Sequence, residues 1–174
     1  MSASEIERTL VRLAHEIVEK NNGIGNLGLV GIRRRGLPIA ERLAKHIERI
    51  EKAPVPVGTL DITLYRDDVF LGLPKPEIGA TELPESIEGR TVVLVDDVLF
   101  TGRTVRAAMD VLADYGRPRA VQLAVLVDRG RRELPIQPDY VGVRLQTTSD
   151  QSVRVMLADR GETDRVVLRE RIAK

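Results

Sequence analysis

The stretch VVLVDDVLFTGRT, residues 92–104, joins an apolar run to two adjacent carboxylates and a turn of small residues. Its apolar half predicts a buried strand over 91–97, and LFTG at 99–102 predicts a loop. From 103 to 114, side chains recur at helical spacing and predict a helix whose core-facing residues are Val105, Ala108, Met109 and Leu112. A strand that leads directly into a helix is typical of a parallel α/β sheet, so this stretch decides the fold class.

The rest of the chain repeats this alternation. Helices are predicted over 4–20 and 37–51, and strands over 27–32, 57–65, 120–128, 141–145, 153–157 and 165–170. Ser2 and Glu5 have the spacing of a capping box at the start of the first helix. The order of elements predicts an α/β fold with a mostly parallel sheet and helices on both faces. Because such sheets bind ligands at the carboxyl ends of their strands, chemistry is expected after residues 32, 65, 97 and 128.

The composition is that of an ordinary globular protein. The chain has 174 residues, a net charge of +1, 43% hydrophobic residues and 30% charged residues, which argues against disorder. It has no cysteine, and this excludes disulfide scaffolds, thiolate zinc sites and thiol nucleophiles. Neither an export signal nor an apolar stretch long enough to cross a bilayer is present in the sequence, so a cytoplasmic protein without a membrane partner is predicted.

The turn after the 91–97 strand has the properties of a phosphate site. Residues 101–104 (TGRT) stand where free backbone N–H groups and the positive end of a helix favour an anion. The preceding Asp96 and Asp97, when ionised, accept hydrogen bonds from hydroxyl groups. A ligand that presents both sugar hydroxyls and a phosphate would satisfy this arrangement, so the sequence predicts a site for a ribose 5-phosphate.

A second loop, GIRRRG at 31–36, follows the 27–32 strand. Its glycine spacing is that of a P-loop, but Leu37 and Pro38 stand where a P-loop requires Lys and Ser or Thr, which disfavours nucleoside triphosphate binding of that kind. Three consecutive arginines at the carboxyl end of a strand still suit a polyanion, because the guanidinium group matches phosphate geometry.

The 92–104 stretch resembles the phosphoribosyl diphosphate (PRPP) motif of the type I phosphoribosyltransferases: four apolar residues, two acids, three residues and T-G-x-T. Together with GIRRRG, the stretches DITLYRDD at 61–68 and QLAVLVDRGRRELP at 122–135 resemble the bifunctional pyrimidine-operon attenuators that are also uracil phosphoribosyltransferases. This resemblance implies one domain over 1–174 with a small hood formed by terminal segments. It also implies a mobile lid over about 66–89, where periodicity is lost among prolines and glycines.

The resemblance also implies a reaction and the residues that carry it. Uracil would displace diphosphate from PRPP to give UMP, with Mg²⁺ held through PRPP near the acidic pair and a lid that excludes water. The expected catalytic residues are Asp96, Asp97 and Arg66, and those expected near uracil are Val127, Asp128 and Arg129. PRPP or nucleotide contacts are expected at Arg34, Arg35, Asp96, Asp97, Val98, Leu99, Phe100, Thr101, Gly102, Arg103 and Thr104.

Other basic residues are not needed for PRPP and indicate a second function. The resemblance implies a surface for a pyrimidine-operon leader RNA, assembled across the subunits of a homodimer or higher homo-oligomer. Arginine suits such a surface because it contacts phosphates and stacks on bases. The residues expected there are Arg12, His15, Arg131, Arg132 and Arg144.

Three other functions compete with this interpretation. An RNA-binding regulator could keep the PRPP-type site only to sense nucleotides, and a purine phosphoribosyltransferase would use the same motif with another base. A phosphoacceptor signalling domain also begins its sheet with an LVDD-like strand. That class needs a Lys beyond a later strand, and the only Lys after position 75 is Lys174, so it is disfavoured.

Overall fold

The computed structural model describes residues 1–65, 79–83, 86–161 and 163–170. Its helices are α1 (Ala3–Asn21), α2 (Gly36–Glu51) and α3 (Arg103–Tyr115). Its strands are β1 (Leu27–Ile32), β2 (Val57–Leu60), β3 (Thr91–Leu99), β4 (Ala120–Asp128), β5 (Tyr140–Arg144), β6 (Gln151–Met156) and β7 (Arg165–Glu170). Most of the predicted elements are present, with boundaries that differ by a few residues.

Five strands form one parallel sheet in the order β2-β1-β3-β4-β5. Alternate residues of the central strands face opposite sides: Val93 and Val95 pack with α1 and α2, whereas Val92 and Leu94 pack with α3. The predicted α/β fold, with helices on both faces of a mostly parallel sheet, is therefore confirmed. The carboxyl ends of β1, β3 and β4 lie side by side at one edge of this sheet.

Strands β6 and β7 form a separate antiparallel hairpin, which corresponds to the predicted hood. The amino-terminal residue joins it, because the Met1 ammonium donates to the Val166 carbonyl at 2.8 Å and the Val166 N–H donates to the Met1 carbonyl at 2.9 Å. Arg42 of α2 ties the hairpin to the main body through Asp159 and Asp164. Both ends of the chain therefore contribute to this unit.

The first helix begins as the sequence predicts. The Ser2 hydroxyl accepts from the Glu5 N–H, and the Glu5 carboxylate accepts from the Ser2 N–H at 2.7 Å, which completes the capping box. The helix ends at Asn21, and the capping residue Asn22 that follows adopts the left-handed conformation.

Two expectations about the elements are wrong. The predicted 57–65 strand ends at Leu60, because the Asp61 carboxylate accepts from the Thr63 N–H at 2.8 Å and turns the chain into a short 3-10 helix over Thr63–Tyr65. Met109 does not face the core: its side chain is exposed, while Val105, Ala108 and Leu112 are buried as predicted. The predicted lid over 66–89, together with Arg66, lies largely outside the described residues.

Candidate functional site

The acidic pair lies at the carboxyl end of β3, the central strand of the sheet. Asp96 is buried, and Asp97 is half-buried beside it. Each carboxylate accepts from the N–H of the next residue: Asp96 Oδ1 from Asp97 at 2.8 Å, and Asp97 Oδ1 from Val98 at 2.9 Å. These local bonds fix both carboxylates at the sheet edge, where the sequence placed them.

The two carboxylates do not have equivalent environments. Burial, and next the negative charge of Asp97, raise the pKa of Asp96 well above its ordinary value. Asp97 has a cation within reach, because its Oδ2 lies 3.6 Å from Nη1 of Arg35. Burial and the neighbouring charge therefore disfavour the ionised form of Asp96, and a cation or hydroxyl donors bound at the site would offset this effect.

The turn between β3 and α3 is shaped for an anion. Gly102 adopts φ +95°, which a glycine accommodates without strain, and caps the helix without a side-chain hydrogen bond. A Cβ at this position would lie 3.3 Å from Cδ1 of Ile136, so the turn also packs tightly on the 130–136 loop. The Arg103 N–H donates to the Thr101 hydroxyl at 3.4 Å. The first turn of α3, with the Thr104 N–H, lies where the sequence predicts the phosphate.

The arginine-rich loop lies beside this turn, between β1 and α2. The glycines at either end of the loop allow close packing of the main chain. A Cβ on Gly31 would lie 2.4 Å from the Leu37 Cα, and one on Gly36 would lie 2.1 Å from the Val95 carbonyl oxygen. The start of α2 can therefore approach the end of β3 directly. This approach brings Arg35 to Asp97, and Arg34 is exposed on the same loop.

The third strand end holds the residues expected near uracil. Val127 is fully buried, so it can offer a ligand only main-chain groups. The Asp128 carboxylate accepts from the Gly130 N–H at 2.9 Å and from Nη2 of Arg132 at 2.8 Å. Arg129 is 8% exposed, and its guanidinium lies 3.9 Å from the centre of the Phe100 ring.

The 130–136 loop is joined to the phosphate turn by several hydrogen bonds. The Thr101 carbonyl accepts from the N–H groups of Glu133 at 2.9 Å and Leu134 at 3.1 Å. Nε of Arg103 lies 2.7 Å from the Glu133 carboxylate. Arg132 adds a bond of 3.0 Å from Nη1 to the Phe100 carbonyl. The phosphate turn and the loop after β4 therefore form one connected unit.

The basic residues assigned to RNA have different surroundings. His15, Arg131 and Arg144 are exposed. Arg12 is exposed as well, but its Nη2 donates to the Val141 and Gly142 carbonyls at 3.0 and 2.7 Å, which fastens α1 to β5. Arg132 is not part of an open basic surface as expected: its side chain is 14% exposed, because its donors are directed to neighbouring loop acceptors.

Sequence reasoning missed two contributors to this edge of the sheet. Phe100 was assigned to the nucleotide only as part of a motif, yet its ring also stacks on Arg129. Asp61 was placed inside a strand, although it lies at the carboxyl end of β2 and binds the main chain of Thr63 and Gly79. The sequence did carry a signal for the end of the strand: an aspartate interrupts the apolar alternation, and Asp favours turns over strand interiors.

The described part of the chain shows neither a metal-binding cluster nor a membrane-spanning helix. No group of three or more His, Cys, Asp or Glu side chains there is arranged to hold a metal ion. Within the same residues, no helix is both long and apolar enough to cross a membrane.

The comparisons with known proteins agree with this geometry. The phosphoribosyl transferase domain model matches residues 2–159. The bifunctional protein PyrR of Pelotomaculum thermopropionicum is 58% identical over 165 residues, which are 95% of this chain and 91% of that protein. PyrR of Chloroflexus aurantiacus is 57% identical over 168 residues, 97% of this chain and 92% of that protein.

Solved structures show the same fold. The hypoxanthine phosphoribosyltransferase of Trypanosoma cruzi has a TM-score of 0.66 at 20% identity, covering 83% of this chain and 79% of its own. A hypoxanthine-guanine phosphoribosyltransferase of Bacillus anthracis has a TM-score of 0.64 at 20% identity, covering 83% of this chain and 80% of its own. From the matching domain model and the identity to the PyrR proteins, it follows that the chain belongs to the phosphoribosyl transferase family.

Proposed function

We propose that the chain transfers ribose 5-phosphate from PRPP to uracil, forming UMP and diphosphate, and that it also binds the leader RNA of a pyrimidine operon to attenuate transcription. One observation carries the first part: the acidic pair of β3, the anion-shaped start of α3 and the arginine-rich loop meet at one sheet edge. The identity to proteins named as bifunctional PyrR supports the pairing of two activities.

Each part of the site has a role in the transfer. The start of α3 binds the 5′-phosphate, and Asp96 and Asp97 receive the ribose hydroxyls. Arg34 and Arg35 bind the diphosphate. The C1–O bond breaks with its electron pair leaving on diphosphate, the N1–C1 bond forms, and the N1 proton of uracil is released. Positive charge builds on the ribose during this exchange, and nearby carboxylates stabilise it.

The residues present suit a magnesium ion delivered with PRPP. Mg²⁺ prefers oxygen ligands and is usually bound through one or two carboxylates together with substrate phosphates. Asp96 and Asp97 supply such carboxylates, and a cation there would favour the ionised form of Asp96 despite its burial. When bound, the ion would neutralise charge on the departing diphosphate.

We propose that the end of β4 forms the uracil site. Uracil is placed against the main chain of Val127 and beside Asp128 and Arg129, all at the end of β4. We also propose Arg66, which lies outside the described residues, as a catalytic residue. We also propose that the protein is a single domain that acts in the cytoplasm as a homodimer or larger homo-oligomer, which light scattering on the purified protein would test.

The transferase proposal is tested with Asp97→Asn. We expect wild-type protein to form UMP from uracil, PRPP and Mg²⁺, and the variant to fold normally and lose at least about a hundredfold in turnover. Asp110→Asn is the matched control, because Asp110 lies in an exposed pair with Arg106 on α3. No UMP from the wild type would refute the activity, and full turnover by the variant would refute the role of Asp97.

The RNA proposal is tested with two neighbouring arginines. Arg131→Ala should spare UMP synthesis, weaken binding of the leader RNA and reduce the salt dependence of that binding. Arg132→Ala should also weaken UMP synthesis, because Arg132 holds the Phe100 carbonyl and the Asp128 carboxylate. If Arg131→Ala bound RNA as tightly as the wild type at every salt concentration, Arg131 would have no place in the RNA surface.

A further inference from the structure

The described residues 79–83 return to the sheet along the free edge of β2. Thr59 and Glu82 form an antiparallel main-chain pair, with N···O distances of 2.7 and 2.9 Å. Beyond the end of β2, the Asp61 N–H donates to the Thr81 hydroxyl at 3.1 Å. The returning segment is therefore aligned with the strand end that carries Asp61.

The Asp61 carboxylate holds both chain segments with its two oxygens. Oδ1 accepts from the Thr63 N–H at 2.8 Å, and Oδ2 accepts from the Gly79 N–H. Partial burial raises the pKa of the Asp61 carboxyl, but these hydrogen bonds and the charge of Arg33 lower it by more, so that the pKa lies below its ordinary value. The carboxylate is therefore ionised at neutral pH, and its negative charge acts on Arg33 of the arginine-rich loop.

Gly79 fills the space between this carboxylate and the guanidinium of Arg33. A Cβ on Gly79 would lie 2.5 Å from Oδ2 of Asp61 and 2.9 Å from Nη1 of Arg33. The Arg33 N–H donates to the Leu60 carbonyl at 2.8 Å, and among the described residues its buried Nε has no hydrogen-bond partner. Arg33 is thus packed toward β2, whereas Arg35 of the same loop reaches Asp97.

We propose that Asp61 is a positioning residue for diphosphate binding, a role that rests on the transferase function proposed above. Three adjacent guanidinium groups repel one another, and the repulsion disfavours a single loop conformation. The Asp61 charge offsets that of Arg33 and holds its guanidinium beside Gly79, so that the loop presents Arg34 and Arg35 to the diphosphate in one conformation. When the loop is already ordered in the free protein, binding of PRPP costs less conformational entropy, and this lowers the KM for PRPP.

Two variants of Asp61 and one of Gly79 test this role. Asp61→Asn keeps an acceptor but loses the charge, and Asp61→Ala loses both. We expect Asp61→Ala to raise the KM for PRPP about tenfold, with kcat and the KM for uracil within about twofold of the wild type. Asp61→Asn should give a smaller increase. Gly79→Ala should act like Asp61→Ala, because its new methyl group displaces the carboxylate or the guanidinium.

Glu82→Ala is the matched control, since it removes a nearby exposed carboxylate whose main chain alone makes the strand pairing. Calorimetric titration with inorganic diphosphate gives a readout independent of turnover, and its affinity should fall in parallel with that for PRPP. Equal KM values for the Asp61 and Glu82 variants would overturn the proposal, and so would a lower kcat at unchanged KM. If Asp61→Ala fails to fold, Asp61→Asn and Gly79→Ala carry the test. If wild-type protein binds neither PRPP nor diphosphate, it is the transferase function itself that fails.

Discussion

Replacing Arg42 with alanine should weaken the attachment of the β6–β7 hairpin and lower the stability of the whole chain. Nη1 and Nη2 of Arg42 bind the Asp164 carboxylate at 2.6 and 3.0 Å, and Nε binds Asp159 at 2.8 Å. The side chains of Arg42 and Asp164 are only 15% and 16% exposed. Water screens a pair with this burial poorly, so its loss lowers the free energy of unfolding by more than the loss of a surface pair does.

The expected magnitude follows from the burial. Exposed ion pairs contribute about 0.2–1 kcal/mol, whereas breaking a fully buried pair costs about 3–5 kcal/mol. Arg42 lies between these limits, and its removal leaves Asp164 with the Ala158 N–H, at 2.6 Å, as the remaining donor among the described residues. We therefore expect Arg42→Ala to lower the free energy of unfolding by about 2–3 kcal/mol. Arg106→Ala, which breaks an exposed pair with Asp110, should cost about 0.5 kcal/mol or less.

Urea unfolding at several pH values would measure both effects. The hydrogen bond from Arg42 lowers the pKa of Asp164 in the folded protein. The stabilisation is therefore complete above the unfolded-state pKa of an aspartate and is lost as the pH falls through the lower folded-state value. The difference between wild type and Arg42→Ala should be constant from about pH 8 to 5 and shrink below about pH 4. Equal losses for Arg42→Ala and Arg106→Ala at pH 7 would refute the reasoning.

Two further predictions concern packing and a buried hydroxyl. Gly36→Ala should lower the free energy of urea unfolding by about 3 kcal/mol or more, because the new Cβ would lie 2.1 Å from the Val95 carbonyl oxygen. The control is Gly28→Ala, whose Cβ would have no atom within 4 Å. It should change the free energy of unfolding by less than about 1 kcal/mol. Similar losses for the two would contradict this. Tyr140→Phe should cost about 1–2 kcal/mol, since the hydroxyl donates to Gln122 at 2.7 Å. Burial raises the Tyr140 pKa to about 12, so wild-type stability should fall above about pH 10, where the unfolded chain loses the proton first. The stability of the Phe variant should fall less steeply over the same pH range.

The local parts of the fold could be predicted because local chemistry determines them. The capping box at Ser2 and Glu5, the helical spacing of α2 and the apolar run of β3 each depend on neighbours within a few residues. The end of β2 could not be read from alternation alone. It depends on whether Asp61 binds its own turn, and that choice is stabilised by the distant Gly79 N–H.

The positions of the candidate site residues could be predicted, but their environments could not. Strand order and the carboxyl-end rule place Asp96 and Asp97 at the sheet edge. The raised pKa of Asp96 arises from its burial and from the charge of Asp97, and the cation beside Asp97 is Arg35, which comes from another strand end. Met109 illustrates the same limit. Helical spacing places it on the apolar face of α3, but spacing does not reveal how much of that face the sheet covers, and Met109 is exposed.

The two arginine-rich turns show why charge density in a sequence does not reveal function. In GIRRRG, Arg35 is 43% exposed and lies 3.6 Å from the Asp97 carboxylate, so an anion can compete for its remaining donors. In the turn after β4, Arg132 also follows another arginine, but its donors reach the Asp128 carboxylate and the Phe100 and Ile136 carbonyls at 2.8–3.0 Å. A guanidinium with that many internal acceptors gains little from a ligand and loses much by leaving. The number of acceptors that the fold brings to each arginine therefore separates the groups available to a polyanion from those that hold the loops in place.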